Sequence, residues 1–187
     1  MIIVCNLPIA YGTAGRPLEN LIKTRLIRYF LFINLSFCTL NLFFQNLQLI
    51  GTFATCEQFW QIYSHLVRPG DLNSHSDFHM FKKGIKPLWE DEANRYGGKW
   101  IVRLRKGLSS RCWENLVMAM LGEQFMVGEE ICGAVVSIRY QEDILSVWNR
   151  TANDTGVTNR IRDTFRRVLN LPPGTTIEYK AHNDSIK

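Results

Sequence analysis

The stretch LIRYFLFINLSFCTLNLFF, residues 26–44, constrains this chain more than any other feature, because it is the one long apolar run and its length is close to that of a bilayer span. A membrane helix made from it would carry Arg28, Asn34 and Asn41 into hydrocarbon. A cleaved signal peptide fits poorly as well, since the run begins late and no small-residue cleavage site comes after it. The run therefore reads as a buried strand or an irregular extension, and no membrane partner is expected.

Beyond residue 45 the chain has the pattern of an ordinary domain. With 187 residues, 46% of them hydrophobic and 12% aromatic, there is material for one domain with a real core. Four of the 22 basic and one of the 17 acidic residues lie before position 46, which leaves a nearly balanced remainder. Such a balance is too weak to hold duplex nucleic acid by charge alone, so any nucleic-acid ligand should be small and specifically recognised. The five cysteines (Cys5, Cys38, Cys56, Cys112, Cys132) are odd in number and scattered, which points to a reducing compartment. Three Asn-x-Ser/Thr triplets carry no weight in that setting.

Periodicity predicts an α+β order. In GTFATCEQFWQIYSHLVRPGD, Thr55 and Gln58 are spaced as a capping box, Phe59, Trp60, Ile62, Tyr63 and Leu66 supply a helical apolar face, and Pro69-Gly70 ends it. KWIVRL alternates, with Trp100, Val102 and Leu104 on one side and Lys99, Ile101 and Arg103 on a wet or ligand-facing side. Ser109 or Ser110 is placed to cap a helix through ENLVMAML, ended by Gly122. ICGAVVSIRYQEDILSVWNR reads as a hairpin turning at Glu142-Asp143, which pairs Tyr140 with Leu145, Arg139 with Ser146 and Ser137 with Trp148. Arg139, Ser137, Ser146 and Trp148 then share one face, opposite Val136, Ile138, Tyr140, Leu145 and Val147. A last helix runs through about TNRIRDTFRRVLN up to Pro172-Pro173, with a solvated basic face, and TTIEYKA adds a final strand.

Of the five tryptophans, Trp100 and Trp113 have core positions. Trp89 differs, lying in a loop after Pro87, next to Glu90 and ahead of Gly97-Gly98. On its own the pattern leaves open a binding platform or a core ring. An indole face attracts a flat cation, and a neighbouring carboxylate can accept two parallel N–H donors from one edge of a base. Guanine offers such an edge, and methylation at N7 makes the ring cationic. Two aromatic slabs, one carboxylate and a few basic side chains are what 7-methylguanosine triphosphate requires.

KPLWEDEANRYGGKWIVRL, DFHMFKKGI, GTFATCEQFW, RCWENL, GEQF, ICGAVVSIRYQEDILSVWNR and RRVLNLPP resemble the eukaryotic translation initiation factor 4E family, and within it the 4E homologous protein branch. The resemblance runs from about residue 43 to 187 and leaves 1–42 as an unmatched N-terminal extension, in which the family's first strand is not recognisable. It implies a curved antiparallel sheet backed by three helices, with the mRNA 5′ cap held on the concave face. Carried over residue by residue, it makes Trp89 one stacking ring and Glu90 the carboxylate clamp. Phe43 falls where the branch has a tyrosine as the second stacker. Lys99 and Arg139 would meet phosphates, and Trp148 would lie near the N7 methyl. Ile144 stands where the main initiation factors have a second phosphate-binding lysine, which implies weaker cap binding.

The resemblance also places Trp60 on the convex surface, where YxxxxLΦ helices of regulatory partners dock, with Cys56, Glu57, Glu114 and Met118 as neighbours; periodicity alone leaves a buried helix tryptophan equally open. His75 and His79 form an HxxxH pair around Asp77 without an evident third ligand, so no metal is expected, and no cofactor. Cys112 and His65 do not make a catalytic pair. The implied function is that of a monomeric, cytoplasmic, non-enzymatic cap-binding protein that represses translation by competing for capped mRNA. The alternative is an interaction module of the same fold with an impaired cap pocket.

Overall fold

Seven strands and three α-helices account for most of the regular structure in the described residues (29–35, 47–73, 75–172 and 174–183) of the computed structural model. In chain order they are β1 (Tyr29–Leu35), β2 (Leu47–Phe53), α1 (Cys56–Tyr63), β3 (Ser76–Lys82), β4 (Gly98–Leu104), α2 (Ser109–Leu121), β5 (Ile131–Ile138), β6 (Asp143–Asn149), α3 (Thr155–Leu169) and β7 (Ile177–Ala181). The strands form one curved antiparallel sheet in the order β2-β1-β3-β5-β6-β4-β7. Among the described residues no helix is long and apolar enough to cross a membrane. The described part of the long apolar run is β1, which lies between β2 and β3 and sends Tyr29 and Leu31 into the core.

The sheet sorts its side chains by alternation. Trp100, Val102 and Leu104 of β4 point into the main core as their spacing predicts, beside Val136 and Ile138 of β5, Leu145 and Val147 of β6, and Phe78 and Met80 of β3. The helices cover this face with Phe59 and Tyr63 from α1, Trp113, Leu116 and Val117 from α2, and Ile161 and Phe165 from α3. Trp100 closes one side with a hydrogen bond from its indole N–H to the Thr158 carbonyl at 2.8 Å. Each such ring, fully removed from water, is worth on the order of 2–3 kcal/mol. The opposite face is left for Lys99, Ile101 and Arg103.

Three local expectations are corrected. The β5–β6 hairpin pairs Ser137 with Ile144, Val135 with Ser146 and Gly133 with Trp148, and its connection spans Arg139 to Glu142 rather than a two-residue turn. Because each expected partner is displaced by an even number of residues, every side chain keeps its face; Tyr140 alone of the expected core set leaves it, 78% exposed in the connection. At the start of α2, neither Ser109 nor Ser110 caps the helix, whose N-cap position is Leu108. Both serines already lie in the first turn, and the Ser110 hydroxyl instead accepts the Gly70 N–H at 2.9 Å, a tertiary partner replacing a local one. The third is the end of α1, which stops at Tyr63: the N–H groups of His65 and Leu66 turn to the Ile62 and Tyr63 carbonyls three residues back, so Leu66 and Pro69-Gly70 lie beyond the helix. The other caps agree with their sequence signals. Thr55 accepts from the Gln58 N–H at 3.2 Å while the Gln58 side chain accepts from Ala54, and Asp154 accepts from the Val157 N–H at 2.9 Å. Asn170, at φ 48°, ends α3 before Pro172 is reached.

Candidate functional site

On the concave face the strand registers set side chains into rows. Lys99 of β4 stands between Trp148 of β6 and Lys180 of β7; Ile101 is opposite Ser146; Arg103 is opposite Ile144. β5 and β3 continue these rows with Val135 beside His79 and Ser137 beside Asp77. Above them the loop 83–97 brings Trp89 and Glu90 to the rim, and all of these residues except Lys180 line one cleft of about 530 Å³.

That loop is held as a hook. The buried Asn94 amide donates to the carbonyls of Lys86 at 2.9 Å and Leu88 at 2.7 Å, while the Asp91 carboxylate accepts the N–H groups of Lys86 and Ala93. Ile85 and Pro87 are buried beneath it. Trp89 therefore reaches the cleft from a backbone fixed on either side, with 43% of its surface exposed. At the foot of the loop, a Cβ on Gly97 would lie 1.8 Å from the Asn149 carbonyl oxygen, so only glycine lets the hook close on the end of β6.

The floor is Trp148, 8% exposed. Phe81 meets it edge-on at 5.4 Å, and can do so because Gly133 leaves space: a Cβ there would lie 2.5 Å from the Phe81 ring. His182 packs against its other side at 4.4 Å, and the Lys99 ammonium stands 5.2 Å from the ring centre. Burial, and then the neighbouring Lys180, draws the Lys99 pKa below that of an ordinary lysine, with Asp77 opposing. His79 and His182 are both lowered to about 4, chiefly by burial, so both imidazoles are uncharged at neutral pH. At the other end Arg139 donates to the Asp77 carboxylate at 2.9 Å and to the Ile138 carbonyl at 2.9 Å. Its guanidinium is thus fixed in position with its charge partly offset.

Of the residues singled out from the sequence, Trp89, Glu90, Lys99, Arg139 and Trp148 line this one cleft. Phe43 lies outside the described residues. Asp77, His79, Ser137, Ser146 and Arg103 line it as well. The last three are legible as members of wet strand faces, whereas Asp77 and His79 look only like parts of an HxxxH pattern. That pattern is taken apart by the fold. His75 lies outside β3 at φ 68°, with its ring against Tyr140 at 5.4 Å, while His79 is buried on the floor. Among the described residues no group of three or more His, Cys, Asp or Glu could hold a metal ion.

The second group lies in the helical layer, behind the sheet. Trp60 is 36% exposed on α1, edge-on to the buried rings of Phe59 and Tyr63. Arg68, which no sequence pattern singles out, lies over Tyr63 at 4.6 Å and near Trp60 at 5.8 Å, and pairs with Glu114 of α2. Met118 is half-buried one turn further along α2, and Cys56 and Glu57 are exposed at the start of α1. The Glu57 pKa is lowered by hydrogen bonds from its own backbone N–H and from Thr55.

The family model for eukaryotic initiation factor 4E matches residues 35–187. Eukaryotic translation initiation factor 4E-4 of Caenorhabditis elegans is 59% identical over 140 residues, covering 75% of this chain and 66% of that protein, so this chain spans just under two thirds of its relative's length. Among solved structures, C. elegans eIF4E-3 in complex with the 4E-binding protein Mextli and a cap analog superposes with a TM-score of 0.81 at 38% identity, covering 85% of this chain and 92% of that one. Ascaris suum eIF4E-3 with an m2,2,7G cap gives a TM-score of 0.80 at 36% identity, covering 83% and 89%.

Proposed function

The chain belongs to the eukaryotic initiation factor 4E family, and from that premise we propose that it binds the 7-methylguanosine triphosphate cap of mRNA in its concave cleft. The observation that carries this reading is the convergence of an exposed indole, a carboxylate, a buried tryptophan floor and two cations on one cleft, from separate places in the chain. Trp89 supplies one stacking face and Phe43 the other. Glu90 accepts the N1–H and exocyclic amine of guanine, Trp148 lies under the methylated edge, and Lys99 and Arg139 take phosphates. The cap-binding unit is residues 43–187, with 1–42 as a divergent extension that contributes β1 to the sheet. Solved relatives that hold a cap analog and an m2,2,7G cap support the assignment.

The convex surface around Trp60, with Cys56, Glu57, Glu114 and Met118, receives the YxxxxLΦ helix of a regulatory protein; a relative's complex with the 4E-binding protein Mextli supports a partner for this fold. The protein acts in the cytoplasm as a monomeric, non-enzymatic repressor that competes with the main initiation factor. Resemblance to the 4E homologous branch supports this role, as does Ile144 in place of a cationic phosphate ligand.

Retention on immobilised 7-methylguanosine triphosphate, with release by free m7GTP and not by GTP, tests the cap reading. Trp89→Ala should weaken binding about tenfold or more, since one stacking partner is worth roughly 1–3 kcal/mol. Wild-type protein that passes through the resin while still binding a YxxxxLΦ peptide overturns it in favour of the interaction module.

A further inference from the structure

Arg103 faces Ile144 directly across the β4–β6 pair, and both side chains line the cleft. The same row continues through Ser137 to Asp77, the carboxylate that holds Arg139. Lys99 lies four residues back along β4, ~13 Å away at the usual strand rise, beside Trp148. The cleft therefore has a cation next to its aromatic floor and two arginines at its far end, flanking an apolar residue.

The two arginines are not equivalent. Arg139 is committed to a buried carboxylate and to backbone carbonyls. Arg103 donates to Glu142 at 2.5 Å in a pair whose side chains are 54% and 40% exposed. Exposed pairs of this kind contribute little stability, so the guanidinium is held near the cleft and released at small cost. A guanidinium grips phosphate with the same two-pronged geometry as carboxylate, and phosphate carries more charge.

We infer that Arg103 is a phosphate-binding residue of the cleft, acting from the strand opposite Ile144, and that Glu142 competes with the phosphate for it. This rests on the cap reading above and adds which residue meets the phosphates farthest from the base. With the base held at the Trp89 and Trp148 end, the phosphate chain runs toward the row of Arg103, and the shortest nucleotide does not reach it.

The test is titration of wild type and variants with m7GTP and m7GMP, followed by tryptophan fluorescence. Arg103→Ala should lower m7GTP affinity about fivefold to thirtyfold, as expected for loss of one charge-assisted contact, and m7GMP affinity less than twofold. Arg103→Ala combined with Ile144→Lys should recover most of the loss, because the charge returns from the facing strand. Glu142→Gln should raise m7GTP affinity about twofold to fivefold and leave m7GMP unchanged. Equal losses for the two nucleotides, or no loss for either, overturn the role of Arg103 while leaving the cap reading intact. Wild-type protein that binds neither nucleotide overturns both. If Arg103→Ala melts early, Arg103→Lys decides: a charge-dependent role keeps most of the m7GTP preference, and loss of that preference in a stably folded Lys variant overturns the proposal.

Discussion

Glu90 is exposed at the lip of the cleft beside Trp89, and its position there results from a loop whose backbone is pinned by Asn94 and Asp91. A carboxylate in that place is an acceptor at both oxygens, which matches the two donors of a guanine edge; an amide turns one N–H toward a donor. Glu90→Gln should therefore lower m7GTP affinity about tenfold or more, since hydrogen bonds to charged groups are worth roughly 1.5–3 kcal/mol. Its preference for m7GTP over m7ATP should fall toward unity, and a preference kept at the wild-type ratio would remove the base-reading role from this residue. Trp89 stands out in the sequence as an aromatic beside an acid in a polar loop, a pattern that on its own leaves a core ring equally open, and the resemblance is what gives Trp89 and Glu90 their roles. The tie between Arg139 and Asp77 cannot be singled out there, because it joins residues 62 positions apart and depends on β3 lying next to β5. Arg103 is visible as one of three residues on the wet side of a strand, but its neighbour across the sheet depends on a register that alternation does not supply.

At the level of elements, the β5–β6 hairpin separates the features that a hydrophobic pattern determines from those that it leaves free. Alternation fixes which face each side chain takes, and the core residues Val136, Ile138, Leu145 and Val147 lie where the pattern puts them. It does not fix the length of the connection, and so the expected partners are displaced while the faces stay correct. The loop 83–97 poses the reverse case. Gly97-Gly98 reads as a turn, yet the need for glycine at Gly97 comes from the nearby Asn149 carbonyl, and the Gly97 carbonyl in turn accepts the His182 N–H at 3.0 Å. Gly97→Ala should force the hook away from β6, destabilising the fold by ~1–3 kcal/mol, as overpacking does, and weakening m7GTP binding through displacement of Trp89. Thermal melting and cap titration of the same sample check both effects. An unchanged melting temperature with wild-type cap affinity would mean that the hook is not closed on β6 in solution.

The whole molecule is a sheet with two unlike sides, one a helix-covered core and the other a cleft lined by Trp148 and the neutral His79, with the neutral His182 packed against Trp148. His79 and His182 have folded-state pKa values lowered to about 4 by burial, against an ordinary value near 6.5. Between those limits the unfolded chain binds more protons than the folded one. Their contribution to stability is thus complete above about pH 6.5 and is lost as the pH falls toward 4, by up to about 1.4 kcal/mol per group per pH unit. The melting temperature should drop between pH 7 and pH 5, and His79→Asn should flatten part of that slope; a melting temperature constant over this range would mean that neither histidine is shielded from water. The two sides also make separable predictions for binding. Trp60 lies in the helical layer, edge-on to the rings of α1 and near Arg68, whereas Trp89 and Trp148 belong to the cleft on the concave face. Truncating an aromatic anchor at a helix-docking surface costs ~2–4 kcal/mol, so Trp60→Ala should weaken a YxxxxLΦ peptide about thirtyfold or more. With the sheet between the two surfaces, m7GTP affinity should stay within about twofold of wild type and so report that the fold is intact. Loss of both ligands together with an early melt would make Trp60 a structural residue, its 36% exposure the edge of the core rather than the centre of a docking site.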